Sequence, residues 1–162
     1  MQTVVIYDSK FGNTEKVAQA ITRGAATLGD VRVLHSAEAM SGSLAMTGRP
    51  NLLLIGGPTH NRNASAGLRA LLGSLPAVLR GVPAACFDTR YGGPTWVMGS
   101  AAAAAAKTIR TTGAQLVAEP ESFFIVRSGP MPLQSLAPGE LERAEQWGAA
   151  VAKAAASVQS GA

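Results

Sequence analysis

The sequence predicts an α/β fold: a three-layer sandwich whose central sheet holds five parallel strands in the order 2-1-3-4-5. Three observations predict the parallel sheet and its helical layers, and the strand order is that of a doubly wound sheet. Apolar runs of strand length alternate five times with longer, Ala-rich segments of helical periodicity. The middle run, Asn51 to Ile55 (NLLLI), is apolar without alternation, as a parallel strand covered on both faces must be. Neither an internal repeat nor a linker interrupts the 162 residues, so a single domain over 1–162 is expected.

The elements follow in order. Thr3 to Tyr7 (TVVIY) is β-branched and starts the sheet. Asn13 to Leu28 is a helix with Val17, Ala20, Ile21 and Ala25 on one face. Val31 to Leu34 is a short second strand. Ala37 to Met46, broken by Ser41-Gly42-Ser43, is a poor helix or a loop. Asn51 to Ile55 is the third strand and Ala64 to Leu75 the next helix. Val82 to Phe87 is the fourth strand. Met98 to Thr112, with six alanines from Ala101 to Ala106, is a helix ended by Gly113. Ser122 to Val126 is the fifth strand. Pro138-Gly139 opens a last helix that runs through Trp147 to about Ala156, and Ser157 to Ala162 frays.

Composition narrows the function. Hydrophobic residues at 47% supply a sizeable core, but aromatics at 5% leave Ala, Val and Leu to fill it. No apolar run nears the ~20 residues of a membrane span, and the chain begins with strand residues instead of a secretory leader. The lone Cys86 allows no internal disulfide, which suits a reducing cytoplasm. It reads as a buried thiol in VPAACF. The net charge of +4 is scattered, which reads first as a solvated surface, then as a surface for an acidic protein partner, and least as one for nucleic acid. Two histidines and one cysteine, far apart, give no metal-site spacing. Ser100 and Thr95 lack a G-x-S-x-G elbow and a base partner, which argues against a hydrolase.

In a sheet of this order, ligands bind beyond the carboxyl ends of the strands. The loops after the first, third and fourth strands then share one rim. The first is Asp8-Ser9-Lys10-Phe11-Gly12-Asn13-Thr14, which opens a helix. Free N–H groups and the helix dipole there favour an anion, Ser9 and Thr14 add hydroxyls, and Gly12 permits close approach. An ordinary helix start capped by Asn13 or Thr14 is the competing reading. The segment lacks the Gly-Lys-Ser/Thr ending of a P-loop and the glycines of a dinucleotide fingerprint. The second loop is Gly56-Gly57-Pro58-Thr59-His60-Asn61-Arg62-Asn63, in which Pro58 adds stiffness and the asparagines tolerate positive φ. His60 by itself reads as a solvated loop histidine. The third is Asp88-Thr89-Arg90-Tyr91-Gly92-Gly93-Pro94-Thr95-Trp96. Its exposed rings offer stacking surfaces, although Trp96 is read as packing under the next helix. His35 is expected at the surface, Trp147 in the core, and Glu140 at a helix start where its charge suits the dipole.

The first loop resembles the phosphate loop of the flavodoxins, Thr/Ser-x-Thr/Ser-Gly-Asn-Thr. Ser9 and Gly12-Asn13-Thr14 match it, while Phe11 replaces a hydroxyl. The five-strand alternation carries the resemblance over nearly the whole chain, in the short form of the family. The resemblance implies that Ser9, Lys10, Phe11, Gly12, Asn13 and Thr14 hold the phosphate of FMN. Lys10 is a departure, because flavodoxins do this without a cation. Pro58, Thr59, His60 and Asn61 would face the flavin ring, with His60 in place of an aromatic and Asn61 in place of a glycine. Asp88, Thr89, Arg90 and Tyr91 would line its pyrimidine edge through backbone groups, Tyr91 stacking on the ring. The implied activity is one-electron transfer through semiquinone and hydroquinone, with a reductase and an electron acceptor as partners, as a monomer or weak dimer. An NAD(P)H-dependent FMN oxidoreductase of the quinone reductase type and a flavin-free interaction module of the same fold are the alternatives. A sequence pI near 9.7 departs from the acidic members and implies a different redox partner.

Overall fold

The computed structural model describes residues 1–43, 48–75, 79–130 and 133–161. Strand β1 (Gln2–Tyr7) leads into helix α1 (Asn13–Ala25), which tightens into a 3₁₀ turn, Ala26–Leu28. Strand β2 (Asp30–His35) ends in a helical turn, Ser36–Glu38, that widens into a π-turn, Ala39–Ser43. Residues 44–46 of the weak segment lie outside the described residues. Strand β3 (Leu52–His60) folds back through a hairpin onto β4 (Asn63–Ala64), and helix α2 (Ala66–Ser74) follows. Strand β5 (Pro83–Tyr91) is followed by one helical turn, Thr95–Met98, and by α3 (Ala101–Thr111). Short β6 (Gln115–Leu116), β7 (Glu121–Arg127) and β8 (Gln134–Leu136) precede the long α4 (Glu140–Ser160).

The sheet runs β2-β1-β3-β5-β7-β8, with β4 paired to β3 and β6 to β5. The first five are parallel neighbours and reproduce the expected order 2-1-3-4-5. The expected all-parallel sheet is corrected at the edge, where β8 pairs antiparallel with β7 from Ile125↔Leu136 to Arg127↔Gln134. A segment of a few residues can return only as a hairpin, whereas a parallel return needs a crossover.

Strand residues alternate between two cores. Val4, Ile6, Leu53, Ile55, Ala84 and Cys86 face α2 and α3. Val5, Leu52, Leu54, Ala85, Phe87 and Phe123 face α1 and α4. Helix α3 presents Ala101, Ala102, Ala105, Ala106 and Ile109, all fully buried, so small side chains let the helix lie close to the sheet. On the other side α1 and α4 meet at glycines: a Cβ on Gly24 would sit 1.9 Å from the Glu145 carbonyl oxygen, and one on Gly148 2.3 Å from that of Ile21. Trp147 is partly buried and packs against the core as expected, edge-on to Phe87 and Phe123.

Several boundaries shift. The helix expected from Met98 begins at Ala101, because Gly99 (φ +73) breaks the chain and Ser100 caps the new start, its Oγ accepting from the Ala103 N–H. Gly113 (φ +81) ends it one residue past the cap, as expected. The tail does not fray from Ser157. Helix α4 continues to Ser160, and Gln159 Nε2 donates to the Asn51 carbonyl at 2.8 Å, tying it to the chain just before β3. Ala162 lies outside the described residues. Glu140 does more than suit the dipole. It is buried, accepts from the Phe124 N–H at 2.7 Å, and binds Arg143, whose guanidinium also reaches Glu121. Hydrogen bonding to Glu140 pushes the Arg143 guanidinium still further up from its ordinary value, against burial.

Cys86 is buried as expected, and burial pushes its thiol from 9.0 up to about 12. Below pH 9 the thiol is neutral whether the chain is folded or unfolded. Between 9 and about 12 only the unfolded chain ionises, so Cys86 lowers stability across that window. Iodoacetamide at pH 8 is therefore expected to label Cys86 only at the rate of global opening. Rapid labelling of the folded protein would contradict the burial.

Candidate functional site

The carboxyl ends of β1, β3 and β5 enclose a cavity of about 780 Å³, within the roughly 300–1,000 Å³ usual for small-molecule sites. Ser9, Lys10, Phe11, Asn13, Thr14, Pro58, Thr59, His60, Asn61, Thr89, Arg90 and Tyr91 all line it. Two residues expected at the site, Gly12 and Asp88, are not among the lining residues.

At the β1–α1 end, Gly12 is the residue before the helix. Its φ of +83° suits glycine, and among the described residues no side chain caps the first turn of α1. Asn13 and Thr14 do not cap it; both lie inside the helix, after the Gly12 cap. Ser9 Oγ accepts from the Gly12 N–H at 3.1 Å and closes the loop on itself. Thr14 and Thr89 share a buried hydroxyl–hydroxyl bond of 2.7 Å. One of the two donates in that bond, which leaves the other hydroxyl hydrogen for a further acceptor. Asn13 Nδ2 donates to the Gln134 carbonyl at 3.3 Å and joins the loop to β8. Phe11 is half exposed, with Lys10 Nζ 5.4 Å from its ring centroid.

The expected second and third loops are corrected in part, because the strands run further than the apolar residues do. Strand β3 reaches His60 and β5 reaches Tyr91, since pairing continues through Gly57↔Asp88, Pro58↔Thr89 and Tyr91↔Ile125. Strands β3 and β4 turn at Asn61 and Arg62, with φ of 47° and 66°. A two-residue hairpin asks for a left-handed conformation at both positions, which the asparagine tolerates and the arginine does not favour. Arg62 is anchored there by its Nη2, which donates to the Trp96 carbonyl at 3.1 Å. His60 stays exposed at the turn.

Asp88 lies behind the cavity wall, fully buried. Its Oδ2 accepts from Thr59 Oγ1 (3.0 Å), Ser100 Oγ (2.7 Å) and the Ala102 N–H (3.0 Å). It clips β3, β5 and the start of α3 together. Trp96 does not pack under the next helix: it is 80% exposed, because the break at Gly99 leaves Thr95–Met98 standing clear of α3. Tyr91 is half-buried on the cavity wall.

Sequence reasoning missed several wall residues. Asp8 directly follows β1, and its carboxylate accepts from Ser36 Oγ at 2.9 Å and Ser65 Oγ at 2.5 Å, with His35 Nε2 3.7 Å away. His35 is accordingly half-buried and stands edge-on to Tyr7. Gly67 packs on Asp8, where a Cβ would approach Oδ1 to 2.5 Å. Ile125 and Gln134 come from β7 and β8. Among the described residues no three His, Cys, Asp or Glu side chains cluster to hold a metal, and no helix is long and apolar enough to cross a membrane.

Comparison with solved structures places this arrangement. The chain superposes on a flavodoxin from the domain Archaea with a TM-score of 0.73 at 20% identity, covering 96% of this chain and 99% of that one. Flavodoxin 1 from Bacillus cereus gives 0.74 at 19% identity, covering 94% and 98%. The chain has the flavodoxin-like fold. The flavodiiron protein from Giardia intestinalis gives 0.75 at 19% identity over 96% of this chain, which spans only 36% of that protein's length. No protein-family model matches the sequence. No curated protein matches it either. Within the flavodoxin-like fold the cavity occupies the switch-point rim, where chain connections diverge to either side of β1 and β3.

Proposed function

We propose that the cavity binds FMN and that the protein is an electron carrier, working in the cytoplasm between a reductase and an acceptor protein. The observation that carries this reading is the convergence of an uncapped helix start and an aromatic wall on one cavity. The donor chemistry fits the group. The N–H groups of the first turn of α1 suit the phosphate, supported by the Ser9 hydroxyl and the Thr14–Thr89 pair. The half-buried Tyr91 ring and the apolar Pro58, Val97, Met98 and Ile125 suit a flat π-system. The hydrogen-bonded Thr59–Asp88–Ser100 clip holds the two strand ends that flank it. When bound, FMN supplies the one-electron chemistry, while the chain binds, orients and electrostatically tunes it. No side chain is assigned to proton transfer. The two-residue turn at Asn61-Arg62 adds no inserted loop over the cavity, which favours a carrier over a reductase that must cover a nicotinamide.

A visible absorption spectrum before and after incubation with FMN, with excess removed, tests the reading. Flavin bands that co-elute with the protein in one-to-one stoichiometry are expected. NADPH oxidation with a quinone should not exceed that of free FMN. A protein that stays colourless would remove both redox readings and leave the flavin-free interaction module.

A further inference from the structure

We propose that Arg90 is a cavity-facing cation that binds the reduced form of a flavin more tightly than the oxidised form, and so raises the reduction potential of the bound cofactor. The inference rests on the FMN reading above and assigns a role to this side chain beyond a backbone contact.

Arg90 is only 7% exposed, yet it lines the cavity. Its Nε donates to Ser122 Oγ at 3.0 Å. Its Nη1 donates to the carbonyls of Tyr91 (3.1 Å) and Gly93 (2.9 Å). The guanidinium carbon lies 5.2 Å from the Phe124 ring centroid. Nη2 has no acceptor among the described residues, and the side chain forms no ion pair among them. A buried cation normally keeps a carboxylate, because neutral dipoles replace its lost hydration only in part. Arg90 has dipoles and a ring, and it has the cavity.

The rest of the wall does not supply the missing charge. Lys10 and Arg62 add two more cations. Among the described residues the sole lining carboxylate is Asp8, which already accepts from Ser36 and Ser65. Reduction by two electrons with uptake of one proton leaves one additional negative charge on the ligand. In a partly desolvated cavity a fixed cation favours that charge. The bound potential then rises by the ratio of the two affinities.

Arg90 also ties the Tyr91–Gly93 turn to β7, and a merely structural role would weaken both oxidation states alike. The experiment separates the two. FMN affinity is measured by fluorescence quenching for the oxidised form, and the two-electron potential of the bound flavin by anaerobic dithionite titration against a reference dye. Wild type, Arg90→Gln and Arg90→Lys are compared. Arg90→Gln is expected to leave the oxidised affinity within about threefold and to weaken the reduced form about tenfold relative to it, which is ~30 mV for a two-electron couple. Arg90→Lys is expected to keep the wild-type potential. Equal weakening of both forms, or an unchanged potential in Arg90→Gln, would overturn the role. If Arg90→Gln does not fold, Arg90→Met is read by the same two measurements, and an unchanged potential there overturns the role. Failure of the wild-type protein to take up FMN is a separate result and overturns the functional reading with it.

Discussion

Asp88→Ala is expected to lower the unfolding free energy by about 3–5 kcal/mol and to abolish tight FMN binding. The carboxylate is fully buried and accepts three hydrogen bonds through one oxygen, from Thr59, Ser100 and the Ala102 N–H. Its removal leaves two hydroxyls and one amide without that acceptor, and hydrogen bonds to a charged group contribute about 1.5–3 kcal/mol each. It also unties β3 from β5 at the point where both strands pass into the cavity wall. Asp88→Asn keeps an acceptor oxygen and should lose roughly 1–2 kcal/mol. Its remaining NH₂ would take the place of Oδ1, which has no partner among the described residues. Urea unfolding followed by far-UV circular dichroism measures both. An Asp88→Ala protein as stable as wild type would show that the clip contributes nothing.

Gly99→Val is expected to cost about 3 kcal/mol or more and to displace the Asn61-Arg62 turn. Gly99 adopts φ 73° and ψ 173°, a region closed to residues with a Cβ. A Cβ there would also stand 2.1 Å from the Arg62 carbonyl oxygen and 2.6 Å from its Cα. Backbone atoms cannot swing aside as a side-chain tip can, so the hairpin must move, and with it the anchor from Arg62 to Trp96. Gly92→Ala is the control. It lies in the same connection, has no positive φ, and its Cβ would meet nothing within 4 Å, so a change within about 0.5 kcal/mol is expected. Thermal unfolding and FMN titration of the pair read the two effects. Equal behaviour of the two variants would refute the close approach at Gly99.

The places where sequence reading succeeded and failed share a cause. The alternation of strand and helix records which residues meet the core, so Val4 to Ile6, Leu52 to Ile55 and the α3 alanines were legible. Gly12-Asn13-Thr14 was legible because a helix start depends on neighbours within one turn. Trp96 was misplaced because the break at Gly99, two residues beyond Val97, is imposed by contact with Arg62 some forty residues earlier. The strand extensions to His60 and Tyr91 were missed because partners across the sheet maintain them, not their own propensities. Asp8 was visible at the end of the first strand, but its wall position depends on Ser36 and Ser65, which belong to later elements.

By itself, then, the sequence determined the layered α/β architecture and the three segments that follow its first, third and fourth strands. Those follow from periodicity, strand length and helix-start chemistry, which are properties of short stretches of chain. Only the tertiary structure decided which side chains face the cavity, that Asp88 turns away from it, and that Arg90 is buried there with no carboxylate partner among the described residues. Those depend on register and crossover between distant segments: Asn13 is set by Gln134, Thr14 by Thr89, and Arg90 by Ser122. No local pattern encodes such pairings, because each exists only once the sheet has closed.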